Sequence, residues 1–65
     1  MKTRVNFGPI RSVADAGYYR DAADEVPPLL RPLIQDHLDR LAGLIDTCDA
    51  LGVSVEASIG LEFNT

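Results

Sequence analysis

The chain is expected to fold as one small α+β domain over residues 1–65, with one long amphipathic helix packed on a two- or three-stranded β-sheet and room for a short extra helix. Three stretches predict this. "KTRVNF" sets Thr3, Val5 and Phe7 against Lys2, Arg4 and Asn6, the two-residue period of a half-buried strand. Residues 33–51 space their apolar side chains by three and four, the period of a helix. "VSVEASIGLEF" alternates again, with Val53, Val55, Ala57, Ile59, Leu61 and Phe63 on one side.

The first strand is expected to stop at Gly8-Pro9. Ser12, followed three residues later by Asp15, resembles a capping box with the shorter acid, and Val13, Ala16, Tyr19, Ala23 and Val26 supply an apolar edge for a short helix. Gly17 weakens that helix by up to about 1 kcal/mol relative to alanine. Pro27, Pro28 and Pro32 then interrupt regular structure, because proline lacks a donor and restricts the residue before it. Pro32 suits a first helical position. From there Leu33, Ile34, Leu38, Leu41, Leu44, Ile45, Cys48 and Leu51 form a broad stripe, closed by Gly52. The last strand is expected over 53–63, bent near Gly60, and whether it pairs parallel or antiparallel to the first is left open.

At 65 residues a single core is only marginally able to offset chain entropy. One cysteine, Cys48, excludes an intrachain disulfide, which fits a reducing compartment. No apolar run spans a bilayer, and "MKTRVNFGPIR" has no hydrophobic segment behind its charges, so the chain is expected to be soluble and intracellular. Charge is unevenly placed. Residues 1–20 carry Lys2, Arg4, Arg11 and Arg20 against Asp15, whereas from residue 21 onward nine acids oppose only Arg31 and Arg40. Most of the surface would repel phosphates, which argues against direct nucleic-acid binding.

On a helical wheel at about 100° per residue, Asp36, Asp39, Asp46 and Asp49 fall on one flank. The apolar stripe then centres about 120° from Asp36, with His37 inside it and expected to be at least partly buried. Solvation alone explains carboxylates opposite a core. Only Arg40, four after Asp36, offers compensation on the helix, and Asp46 and Asp49 sit in the last turns, where the helix dipole makes negative charge unfavourable by about 0.3–1 kcal/mol each. A surface that carries this cost suits a basic partner. Glu56 and Glu62, and Asp21, Asp24 and Glu25 of "DAADE", would have to extend the helix for it to act as a DNA mimic. Tyr18 and Tyr19 are further candidate partner-binding residues, since tyrosine is a common interface anchor.

A very small, cysteine-poor, acidic α+β chain with an aspartate-lined helix resembles the phage-encoded anti-CRISPR proteins that act on type I systems. The likeness covers the size and charge of the whole chain and no motif. It implies a phage protein that binds a Cas subunit or the surveillance complex and occupies the basic surface meant for target DNA. The expected function is therefore a non-enzymatic inhibitor, with no cofactor or metal. The alternative is a small dimerising interaction or assembly module, antitoxin-like or a phage accessory protein, that uses a strand edge; a homodimer is open in either case. His37 and Cys48 lie about 16 Å apart along the helix, too far to share a metal ion.

Overall fold

The computed structural model describes residues 1–64. Strand β1 runs Lys2–Ile10, helix α1 Val13–Asp21, helix α2 Arg31–Leu51 and strand β2 Ala57–Asn64, with one 3-10 turn at Ala23–Glu25 between the helices. The fold is α+β. β1 and β2 pair antiparallel, with Val5 opposite Leu61 and Phe7 opposite Ile59, and α2 packs on the face of the sheet that carries these residues.

Gly8-Pro9 does not end β1. Phe7 pairs with Ile59 and Ile10 with Ala57, so β1 holds one more residue than β2 over this interval. That is a bulge, a place where a proline without a ladder donor is tolerated, and the Gly8-Pro9 peptide is cis. Beyond it Ile10 returns to the core, fully buried. The last strand is shorter than its alternation predicts. β1 has no residue left to pair with 53–56, so the chain crosses from α2 to the sheet there without a ladder.

The caps match the sequence closely. Ser12 Oγ accepts from the Asp15 amide at 3.1 Å, and Asp15 Oδ2 accepts from the Arg11 amide at 3.0 Å, one residue earlier than in the standard capping box. α2 starts at Arg31, which puts Pro32 at the second helical position, where its missing N–H is no loss. At the other end Gly52 adopts φ 73°, and the Val53 amide donates to Cys48 O at 2.8 Å. This Schellman closure satisfies carbonyls that the last turn leaves open.

The core is Val5, Phe7 and Ile10 from β1, Ala16 from α1, Ala23 and Val26 around the 3-10 turn, and Leu38 and Ile45 from α2. Fully burying an aliphatic side chain of this size contributes roughly 1.5–3 kcal/mol. Few such residues are available, so each matters.

The phase of α2 differs from the wheel. Ile34, Leu38, Leu41, Ile45 and Cys48 turn inward, which centres the buried side about 160° from Asp36 rather than about 120°. Leu33, Leu44 and Leu51 are 65%, 52% and 73% exposed, and His37 is exposed with them. The burial expected for His37 is absent. The reason lies in α1, which packs beside α2 on the aspartate flank: Arg20 Nε reaches Asp39 Oδ1 at 2.9 Å, and Gln35 Nε2 donates to Arg20 O at 3.2 Å. The stripe was wider than one neighbour could cover, and cover came from the aspartate side.

Candidate functional site

The acidic residues divide by whether the fold supplies a cation. Asp36 pairs with Arg40 along α2 at 3.2 Å, and Asp39 is met by Arg20 from α1, a partner that no helical wheel of α2 could reveal. Glu56 pairs with Arg11 at 3.0 Å beside a shallow depression between the end of α2 and the 52–56 connection, with Asp49 also on its rim. Glu62 lies on the outer face of the sheet opposite Arg4, within 3.3 Å of Lys2 and 3.8 Å of Arg4. These four carboxylates are neutralised locally. Each pair is solvent-exposed and contributes about 0–1 kcal/mol.

Asp46 and Asp49 on the last turns of α2, Asp21 at the end of α1, and Asp24 and Glu25 in the 3-10 turn are all exposed and make no ion pair among the described residues. The 3-10 turn is tied to the start of α2, because Arg31 donates to the carbonyls of Ala23, Asp24 and Val26 at 3.1–3.3 Å. Asp24 and Glu25 therefore sit near one end of α2 and Asp46 and Asp49 near the other, about 20–25 Å away along the axis. All six lysine and arginine side chains are committed within the chain, five in ion pairs and Arg31 on carbonyls. The net charge of −4 is thus held by side chains with no internal counter-ion.

The two tyrosine rings meet edge-on at 5.1 Å but differ in burial. Tyr18 is 68% exposed. Tyr19 is half-buried, meets the Phe7 ring edge-on at 6.0 Å and donates its hydroxyl to Gly8 O at 2.8 Å, which fastens α1 to the bulge of β1. Tyr19→Phe is expected to cost about 0.5–1.5 kcal/mol in urea unfolding, since the Gly8 carbonyl loses its donor. Tyr18→Phe should stay within about 0.5 kcal/mol of the parent, as for most exposed sites.

Among the described residues no group of three or more metal-ligand side chains converges, and no helix is long and apolar enough to cross a membrane. Comparison with protein-family models, curated proteins and solved structures gives no match.

Proposed function

We propose that this chain is a non-enzymatic inhibitor that binds a basic surface of a nucleic-acid-handling protein, with the Cas subunits of a type I surveillance complex as the leading partner. In this reading the protein acts in the cytoplasm of a bacterial host and competes with target DNA for its binding surface. The observation that carries it is the set of unpaired exposed carboxylates, Asp21, Asp24, Glu25, Asp46 and Asp49, in a chain whose every lysine and arginine is engaged internally. Asp46 and Asp49 weigh most, because no basic residue occupies the last turn of α2 to offset its dipole.

The test is the double variant Asp46→Lys/Asp49→Lys. Lysine in these turns suits the helix dipole, so the urea midpoint should hold or rise slightly. Affinity for a purified type I complex should fall at least about tenfold, since like charges placed across an interface repel. Binding by the parent chain should also weaken as salt is raised, because exposed charges are screened within about 8 Å at physiological ionic strength. Undiminished inhibition by the folded double variant would reject the proposal.

A further inference from the structure

We infer that two copies of this chain join along the outer edge of β2, forming a continuous four-stranded antiparallel sheet with the two α2 helices packed side by side above it. This inference does not rest on the acidic-surface reading. It starts from an asymmetry in cover. Val5 and Phe7 of β1 are 6% and 2% exposed, yet Leu61 and Ile59, directly opposite them on β2, are only half-buried, as is Phe63. α1 closes the β1 side, where Tyr19 rests on Phe7 and Gly8. Among the described residues no element closes the β2 side, and the sheet has two strands, so the outer edge of β2 is unpaired there.

The exposed ridge of α2 overlooks that same side. Leu33, Leu44 and Leu51 lie about 60–80° from Asp36 on the wheel, on the opposite flank of the inward residues from the Arg20–Asp39 contact with α1. One apolar surface therefore runs from the helix ridge down to the half-buried residues of β2. Such an edge is a template for pairing unless something blunts it.

A second copy satisfies the geometry with one symmetry axis. Glu56 shares a depression with Asp49 at the end of α2, whereas Ile59 lies opposite Phe7, which meets Tyr19 beside the Arg20–Asp39 pair, so β2 runs back along α2 in the opposite direction. A two-fold axis through the middle of β2, near Gly60 and Leu61, then also passes close to the middle of α2, near Ala42. It sets Leu33 of one copy opposite Leu51 of the other and holds Leu44 close to the axis. Isologous contacts of this kind are the commonest route to a closed dimer.

Area and charge favour this occupant. A compact chain of 7.1 kDa exposes about 4,100 Å², whereas this one exposes 4521 Å². Its radius of gyration is 12.6 Å, against about 10.7 Å for a compact domain of this length. That surplus of about 400 Å² goes with an elongated shape, 43 × 17 × 14 Å, whose long side offers a second copy the roughly 800 Å² per partner that a stable interface buries. The ridge carries His37, Arg40 and Thr47 between its leucines, and the carboxylate beside it, Asp36, is paired with Arg40, so each copy's unpaired acids stay off the contact.

The test is light scattering on the intact chain after size exclusion, at about 10–500 μM, a range that spans micromolar dissociation constants. The expected mass is about twice 7.1 kDa. Leu44→Asp brings two carboxylates together near the axis and should give a monomer with an unchanged circular dichroism spectrum. Amides of β2 should then exchange at least about tenfold faster, since its outer edge returns to water. Should Leu44→Asp fail to fold, Leu33→Asp/Leu51→Asp, at more exposed positions, takes its place with the same expectation. A parent monomer at the highest concentration would overturn the inference, and so would a folded variant that remains dimeric with β2 exchange unchanged.

Discussion

Ile45→Ala is expected to leave a large share of molecules unfolded at room temperature. The side chain is fully buried at the centre of α2, and truncating such a residue costs about 2–5 kcal/mol through lost transfer energy and the cavity left behind. A core of this size seldom supplies more than about 3–5 kcal/mol in total. The substitution therefore removes an amount comparable to the whole stability. Asp46→Ala, one residue later on the same helix, should cost well under half as much, because Asp46 is exposed and, among the described residues, held by no ion pair. Urea titration followed by circular dichroism, at one fixed chain concentration, separates the two. Equal midpoints would mean that α2 does not face the sheet through Ile45.

Gly8→Ala should be the most damaging single-methyl addition. A Cβ built at Gly8 would stand 2.7 Å from Ser58 Cβ and 3.2 Å from Ser58 Cα. The obstacle is the neighbouring strand itself, not the end of a flexible side chain. Either the two strands part at the bulge or the bulge shifts, and Gly8 O must move with it, away from the Tyr19 hydroxyl. Overpacking of this kind costs about 1–3 kcal/mol. Ser58→Gly removes the nearer of the two atoms, so the double variant should recover part of the loss, with a coupling energy of about 1 kcal/mol. Simple additivity of the two single changes would show that Gly8 is not held against Ser58.

The local signals were legible in the sequence. Ser12 and Asp15 cap α1, Gly52 closes α2, and the alternations of 2–7 and 53–63 mark the two strands, which run Lys2–Ile10 and Ala57–Asn64. What escaped was relational. Whether Leu33 or Asp39 is covered depends on which flank of α2 receives α1, and that is decided by Ala16, Tyr19 and Arg20 together with the reach of the 22–30 connection. The length of β2 depends on where β1 ends, and β1 runs past Gly8-Pro9 because a bulge absorbs the proline. For the candidate site, the four aspartates of α2 are all exposed, but the pairing of Asp39 with Arg20 needed a second element. Asp46 and Asp49 were isolated in the sequence and stay so in the fold.

The pairing of β1 with β2 also governs the order in which the molecule can assemble. All of residues 11–56 lie between the two strands, so the sheet closes a loop that spans most of the chain. Helical turns form from contacts a few residues apart, whereas this ladder must bear the entropy of loop closure before any of its contacts reward it. During synthesis Val5 and Phe7 leave the ribosome long before Leu61 and Ile59, and α1 and α2 are their only early cover. The largest loop-closure cost thus falls on the meeting of the two strands, and the helices between them shorten the span that must be closed.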